Sequence, residues 1–504
     1  MKQTIYKIAG AVVMFSIILS SCKKNFQEIN TDPNGTPYAL PQQLLAPALV
    51  STLGYNMLRN RNFNNELMQV TVDANDAEGR VFRYDYRAAW SDNLYNGWYS
   101  ELTNFKDIYK RASDPLTYNR SYMGISLICQ SWIYSLLTDT YGDVPYFHSN
   151  MAKDSSIYEP AFDKQKDIYL DIFRKLDTAN TLLSTGTAIV ASSDPVYGGN
   201  VARWRKFGNS LYLRLLLRLS GKAEVAADCI ARIKEMVDTK ASSYPVIVSN
   251  DESAILRWTG VGPFVSPFLS VREQDFRAPG LASFFIDHLA AWNDPRIDIP
   301  TYGTNNINRW GIAPYSGQYL GIPSGYAPGE NPVKKSYFYS NTSTSSLMTE
   351  PMTGMMMNYA EMQLIKAEAA LKGWTNGNAE ALYDTAAANS IRLWIPQWPV
   401  PITTFLAAAD IDWDPNATPD QKMELIHLQK YYALFLTDMQ QWFEYRRTGH
   451  PALPKGAGLK NNGVMPARMS YPVYIQSTNP TNYKLAVAGQ GPDVISTQVW
   501  WQKP

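Results

Sequence analysis

The chain has 504 residues, a net charge of +1 at pH 7, and a high aromatic content that includes 32 Tyr and 14 Trp. Its 46 basic and 45 acidic residues nearly balance and are mixed along the chain, which argues against a nucleic-acid partner. Because the chain has only three cysteines, no disulfide framework can hold the fold, and a large hydrophobic core must do so.

The first 22 residues have the pattern of a secretory signal peptide. Lys2 and Lys7 supply positive charge, residues 8–19 are an apolar run too short to span a bilayer, and the stretch ends on Leu19-Ser20-Ser21-Cys22. A cysteine directly after small residues resembles the lipobox of bacterial lipoproteins. We therefore predict that residues 1–21 are removed and that Cys22 carries a lipid anchor. The alternative is an ordinary signal peptide with a chance cysteine.

Residues 22–40 are polar and rich in turn-forming residues, which predicts a tether ahead of a single folded domain at 41–504. Within the tether, the run from Asn30 to Gly35 resembles the start of a calcium loop. The twelfth position of that loop is Pro41 instead of Glu, so a pair of Asx-turns is the better interpretation.

Beyond the tether, helical periodicity dominates and strand-like alternation is scarce, which predicts a mainly α fold. Apolar side chains at helical spacing form three stripes: Ile125, Ile128, Trp132 and Leu136; Ile168, Ile172, Leu176, Ala179 and Leu183; and Trp204, Phe207, Leu211, Leu215 and Leu219. Each stripe predicts one helix with a buried face.

Between residues 257 and 354 the chain becomes irregular and rich in Gly, Pro, Asn, Ser and Tyr. This composition predicts a large loop-rich lobe inserted into the helical scaffold. Long irregular segments in folded proteins often carry function.

Residues 355–390 follow the lobe and predict two antiparallel helices, 355–372 and 378–390, like one tetratricopeptide unit. Ala367 and Ala379 occupy the positions where small residues let two helices approach closely. Other consensus positions of that repeat do not match, so the unit is degenerate.

A further helix begins at Thr418-Pro419-Asp420-Gln421, which has the form of a capping box with proline at the first helical position. The pattern predicts that this helix runs to about Arg446, because Gly449 and Pro451 end it. Arg446 and Arg447, like Arg214 and Arg218, fit structural ion pairs better than anion-binding sites.

The sequence has no recognisable catalytic signature. Its four histidines show no zinc-ligand spacing, and no phosphate-binding loop, dinucleotide fingerprint or nucleophile elbow is present. We therefore expect no enzyme activity, no cofactor and no metal. A pair of glycosidase carboxylates stays open, since its members can be distant in sequence. The acidic residues Asp73, Asp76 and Glu78 fit a solvated turn better than a calcium site.

The lobe is the predicted ligand site because it combines aromatic rings with amide and guanidinium groups: Tyr302, Trp310, Tyr315, Tyr319, Asn308 and Arg309. A sugar ring can stack on an aromatic face while Asn and Arg bind its hydroxyls. The alternative is that these aromatic residues only pack the lobe. A second candidate segment contains Trp90, Tyr95, Trp98 and Tyr99, but its helical spacing favours a core role.

A set of motifs runs in order along nearly the whole chain: Glu28-Ile29-Asn30-Thr31-Asp32-Pro33-Asn34, Tyr141-Gly142-Asp143-Val144-Pro145-Tyr146, Trp204-Arg205-Lys206-Phe207-Gly208-Asn209, Asn293-Asp294-Pro295-Arg296, Lys366-Ala367-Glu368-Ala369 and Trp442-Phe443-Glu444-Tyr445-Arg446-Arg447. No single motif is sufficient, but the ordered set resembles the SusD/RagB family of nutrient-binding outer-membrane lipoproteins, in the SusD-like group with an Asn-Thr-Asp-Pro-Asn tether.

The resemblance implies an α-rich fold with tetratricopeptide pairs on one face. It also implies a lipid-anchored protein on the exterior of the outer membrane that captures oligosaccharides or peptides and delivers them to a SusC-like TonB-dependent transporter barrel. Lys23 and Lys24 depart from the acidic residues that often follow the lipidated cysteine in surface-displayed members. The competing classes are a lipid-anchored glycan hydrolase and a tetratricopeptide scaffold that binds only protein.

Overall fold

The computed structural model describes residues 39–74, 79–297 and 309–503. The predicted signal peptide, Cys22 and nearly all of the tether lie outside these residues. So do Tyr302 and Asn308 of the predicted ligand site and the acidic residues Asp76 and Glu78.

The first half of the described chain is built almost entirely from helices: Pro41–Arg59 (α1), Asn65–Leu67 (α2), Ser91–Ala112 (α3), Arg120–Tyr141 (α4), Ala152–Ser155 (α5), Gln165–Ser184 (α6), Val201–Leu219 (α7) and Ala226–Lys234 (α8). The three predicted stripes lie on α4, α6 and α7, and every member is at most 4% exposed. The stripes are buried because each of the helices packs against the next one, in the order α3, α4, α6 and α7. The predicted stripes are confirmed.

The second half contains shorter helices between irregular segments: Glu273–Arg277 (α9), Ser283–Ala291 (α10), Tyr359–Leu371 (α11), Ala379–Trp394 (α12), Ile402–Ala408 (α13), Pro419–Ala433 (α14), Gln440–Thr448 (α15), Ile475–Thr478 (α16) and Pro480–Gln490 (α17). None of the described helices is both long and apolar enough to cross a bilayer.

Strands in the described chain form three small antiparallel pairs: Thr71–Val72 (β1) with Gly280–Leu281 (β3), Ala254–Leu256 (β2) with Gly354–Met357 (β6), and Ile312–Ala313 (β4) with Tyr337–Phe338 (β5). The register places Thr71 opposite Leu281 and Ile255 opposite Met355. The pair β1–β3 joins the loop-rich lobe to the helical scaffold, and the pair β2–β6 brings the two ends of the lobe together. The fold is therefore mainly α, as predicted.

Helices α11 and α12 form the predicted antiparallel pair and pack together and against α14. The predicted start at residue 355 is wrong, because residues 354–357 are buried in strand β6 and the helix begins only after Asn358. The Asn358 side chain accepts a hydrogen bond from the Glu361 amide and caps α11. Ala367 is fully buried, whereas Ala379, the first residue of α12, is only partly buried.

The capping box at Thr418 and Gln421 is confirmed, but α14 ends at Ala433 instead of Arg446. Leu436 and Asp438 have positive φ angles, and the Asp438 carboxylate accepts hydrogen bonds from the Met439 amide and from the side chain of Gln440. These side-chain bonds replace helical backbone bonds, so a new helix, α15, follows the break. It ends, as predicted, at a left-handed glycine, Gly449, with φ 76°.

Candidate ligand-binding pocket

A pocket of about 560 Å³ opens between α3, the irregular chain after α4 and the segment around α16. Its lining is rich in tyrosine and asparagine, and every side chain in it is uncharged: Tyr95, Asn96, Tyr99, Ser100, Thr103, Pro145, Ser149, Asn150, Tyr158, Pro160, Phe162, Tyr474, Ile475, Thr478 and Asn479. We call this cavity the aromatic pocket.

Helix α3 supplies one wall of the aromatic pocket. Tyr95, Tyr99 and Thr103 follow each other at a spacing of four residues, so they share one helical face. The rings of Tyr95 and Tyr99 have their centroids 4.8 Å apart. The Tyr99 hydroxyl donates to the Pro145 carbonyl at 2.6 Å, which fixes this wall to the chain after α4.

The opposite wall comes from two distant segments. Tyr474, which is 40% exposed, forms a hydrogen bond to Asn96 Oδ1 on α3. The Asn479 amide donates to the Pro160 carbonyl at 2.7 Å, and this bond joins the two segments. Tyr158 is 75% exposed, so its ring presents a large free surface at the pocket.

The electrostatics of the aromatic pocket favour a neutral ligand. Burial raises the pKa of Tyr95 and Tyr99 well above the ordinary tyrosine value, and burial followed by the charge of Asp92 raises that of Tyr474. These hydroxyls therefore stay protonated at physiological pH. Those of Tyr99 and Tyr474 donate their only proton to the Pro145 carbonyl and to Asn96 Oδ1, and their oxygens can still accept hydrogen bonds from a ligand. Ring faces beside hydroxyl and amide groups match the C–H faces and hydroxyl edges of sugars. The lining has no carboxylate, so it does not supply the acid pair of a glycosidase.

The predicted ligand residue Trp310 lies in the hydrophobic core. It is fully buried, and its ring centroid is 5.9 Å from that of Phe285, 5.7 Å from that of Trp394 and 4.9 Å from that of Phe435. The Arg296 guanidinium covers the ring at 5.0 Å. A ring without an exposed face cannot stack on a ligand, so the predicted role of Trp310 is wrong.

The other described residues of the predicted lobe site have contacts of their own. Arg309 forms an ion pair with Glu350 at 3.1 Å, and the Tyr319 hydroxyl donates to the Ile297 carbonyl at 3.2 Å. Tyr315 is 39% exposed, and ligand binding by this residue stays a prediction.

The second candidate segment divides between core and pocket. Trp98 is fully buried and donates to Asn56 Oδ1 at 2.8 Å, as its helical spacing suggested. Tyr95 and Tyr99 instead line the aromatic pocket. Sequence reasoning missed Tyr158 and Tyr474, because they lie in irregular chain far from α3. The available signal was the set of polar residues at 96, 100 and 103 beside the two tyrosines.

The four arginines predicted to have structural roles, Arg214, Arg218, Arg446 and Arg447, are largely buried and make internal hydrogen bonds or ion pairs. Arg214 donates to both oxygens of Glu361 at 2.6 and 2.7 Å, and Arg218 contacts Asp139 at 2.6 Å. Arg446 donates to backbone carbonyls, including that of Asp139 at 2.7 Å. The predicted ion pairs are confirmed for Arg214, Arg218 and Arg447, whereas Arg446 bonds to backbone carbonyls instead.

Glu368, His427 and Glu444 lie close enough together to suggest a metal site. The Arg447 guanidinium, however, contacts Glu368 at 2.6 Å and Glu444 at 2.8 Å, and Lys430 contacts Glu444 at 2.7 Å. Burial opposes ionisation, but these cations outweigh it and hold the pKa of both carboxyls well below their usual range. Cations of the chain itself already occupy the carboxylate oxygens, so the donor set does not fit a metal.

Solved structures of other proteins share this fold. A chitin-binding protein of known structure is 26% identical, with a TM-score of 0.72 over 92% of this chain and 99% of its own. A chitin-binding SusD homologue from Flavobacterium johnsoniae is 20% identical, with a TM-score of 0.75 over 92% and 98%. A SusD homologue from Bacteroides fragilis NCTC 9343 is 22% identical, with a TM-score of 0.76 over 92% and 100%.

No curated protein matches the sequence significantly. A SusD-like family profile, described as starch-binding and associating with the outer membrane, matches residues 33–472. Since this match covers most of the folded chain, the protein belongs to the SusD-like family of outer-membrane-associated, starch-binding proteins.

Proposed function

We propose that this protein is a non-catalytic binding lipoprotein that captures oligosaccharides in the aromatic pocket. The observation that carries the proposal is the lining of that pocket, in which exposed faces of Tyr158 and Tyr474 stand beside amide and hydroxyl groups without any charge. Two structural relatives are named chitin-binding and the family is described as starch-binding, so glucose and N-acetylglucosamine oligomers are the first ligands to test.

The lipid anchor and the partner are part of the same proposal. The motif that ends at Cys22 supports lipidation, and the family description supports attachment to the outer membrane. We infer that the protein faces the cell exterior and delivers its ligand to a SusC-like TonB-dependent transporter barrel. Co-purification of the native protein with such a barrel from detergent-solubilised membranes tests this step.

Calorimetric titration of the mature chain with maltooligosaccharides, chitooligosaccharides and a peptide panel tests ligand capture. Tyr474→Ala should weaken binding of the best ligand by about tenfold, because an exposed aromatic face at a binding site contributes roughly 1–3 kcal/mol. Tyr118→Ala is the matched control, since Tyr118 is 56% exposed but does not line the pocket. It should leave affinity unchanged.

The alternative functions give different results in the same assay. New reducing ends after incubation would identify a glycan hydrolase. Barrel co-purification without binding of any glycan or peptide would support a protein-binding scaffold. Equal affinities of wild type, Tyr474→Ala and Tyr158→Ala for a bound glycan would move the site away from the aromatic pocket.

A further inference from the structure

A second cavity, of about 620 Å³, lies between α3, α4 and α6 and is strongly cationic. Lys106, Arg174 and Lys175 line it, together with one carboxylate, Asp171, and the amide of Gln130. We call it the basic pocket. Three cations against one carboxylate give its lining a local excess of positive charge, in contrast to the uncharged aromatic pocket.

The Lys106 ammonium is held in place without a carboxylate partner. It donates to the backbone carbonyl of Ser149 at 2.8 Å and to the hydroxyl of Ser149 at 3.0 Å, and it lies 5.5 Å from the centroid of the Tyr134 ring. Among the described residues, no Asp or Glu forms an ion pair with Lys106. An ammonium has three donors, so one remains for a ligand.

Lys175 lies near the same tyrosine ring, 5.6 Å from its centroid. Its ammonium donates to the Tyr146 hydroxyl at 2.9 Å and lies 3.4 Å from Asp171 Oδ2. Asp171 also pairs with Arg174 at 3.1 Å and accepts a hydrogen bond from Tyr146, so its charge is shared. One carboxylate therefore cannot neutralise the cations around it.

Burial of these ammonium groups carries an energetic cost, and at Lys106 repulsion from Lys175 adds to it. Burial and then the nearby charge of Lys175 lower the pKa of Lys106 to about 8, and burial lowers that of Lys175. A bound anion would remove the repulsion and supply the missing hydrogen-bond acceptor for both ammonium groups.

The two pockets share structural elements. Ser149 lines the aromatic pocket and also accepts the hydrogen bonds of Lys106. Thr103 of the aromatic pocket and Lys106 of the basic pocket are three residues apart on α3, which is less than one helical turn. The two pockets are therefore neighbours along α3, with Ser149 next to both.

We propose that the basic pocket binds the anionic group of an acidic sugar, either a carboxylate or a sulfate ester, while neighbouring sugar units lie in the aromatic pocket. This inference rests on the proposed glycan-binding function and narrows it to oligosaccharides that include an acidic unit.

Matched ligand pairs test the inference by calorimetry on the mature chain. The carboxylate pair is an oligogalacturonate and its fully methyl-esterified form, and the sulfate pair is a sulfated galactan oligosaccharide and its desulfated form. In at least one pair the charged member should bind about tenfold more tightly, since hydrogen bonds between charged groups are the stronger class. The double variant K106M/K175M should lose this preference, and K106R/K175R should keep most of it.

K110M is the matched control, because Lys110 lies one turn further along α3 and is already paired with Asp154 at 2.7 Å. It removes one positive charge outside the basic pocket, whereas K106M/K175M removes two inside it, and it should leave the preference intact. Persistence of the preference in K106M/K175M would overturn the inference by placing the anion elsewhere. Binding of neutral oligosaccharides without any preference for charged members would also overturn it, while leaving the proposed function standing. Failure of every glycan to bind would instead remove the proposed function itself.

Discussion

The substitution Trp310→Ala tests whether Trp310 is a core residue or a ligand-binding residue. The indole ring is fully buried against Phe285, Trp394 and Phe435, so truncation should cost about 3–5 kcal/mol. Unfolding entropy is about 2.1 cal/mol/K per residue, which gives about 1 kcal/mol/K for the folded unit that extends from Pro41 to Pro504. The melting temperature should therefore fall by about 3–5 °C.

The assay is a thermal melt followed by circular dichroism, paired with a glycan titration on the same sample at a temperature where the variant is folded. Trp310→Phe is the graded control: it keeps an aromatic ring beside Arg296 and should lower the melting temperature by less. Glycan affinity should be unchanged in both variants, because the ring has no exposed face. An unchanged melting temperature together with lost binding would refute the reasoning and return Trp310 to the ligand site.

Three further predictions concern the buried residues Glu66 and Arg447 and the predicted lipidation site Cys22. Burial, and then the charge of Asp73, raise the pKa of Glu66 to about 8. Between roughly pH 5 and 8 the folded state therefore keeps a proton that the unfolded chain loses. The contribution of Glu66 to the free energy of unfolding should fall by about 1.4 kcal/mol per pH unit over this range. Urea unfolding at several pH values in that range should show that the free energy of unfolding of Glu66→Gln depends less steeply on pH than that of the wild type. Equal pH dependence would contradict the raised pKa of Glu66. Arg447→Met removes the guanidinium that pairs with the buried carboxylates of Glu368 and Glu444. The free energy of unfolding should therefore fall by about 3–5 kcal/mol at pH 7. The loss should shrink in acid as these carboxyls take up protons, and a pH-independent loss in urea titrations would argue against the ion network. Cys22→Ala should abolish metabolic labelling with palmitate. Labelling that persists in this variant would show that Cys22 is not the lipidation site.

Local patterns predicted most of the helical scaffold. The stripe on α4 identifies its helix because, with 3.6 residues per turn, apolar residues three or four positions apart lie on one face. This holds whatever packs against that face. The capping box at Thr418 was equally readable, since its hydrogen bonds involve residues only three apart. Neither signal requires knowledge of the rest of the chain.

The break after α14 shows where such patterns fail. Hydrophobic periodicity continues through residues 434–439, yet Asp438 accepts local hydrogen bonds there, and its backbone carbonyl accepts one from Asn60 in the first part of the chain. A contact across 378 residues cannot be read from a local window. The same limit applies to strand β6, which pairs with residues 254–256 and so replaces the predicted first turn of α11.

The ligand site was harder to predict than the fold, because composition identifies aromatic residues without revealing their burial. Trp310 and Tyr474 both lie in irregular chain beside polar neighbours, and only the tertiary structure buries the first completely and leaves the second 40% exposed. Their variants should therefore differ in kind: Trp310→Ala loses stability and keeps glycan affinity, whereas Tyr474→Ala loses affinity with a smaller change in melting temperature. Measuring both quantities for both variants makes the distinction decisive, since a change of overall foldedness would lower them together. Reversal of the two patterns would place the ligand in the lobe and the aromatic pocket in a structural role.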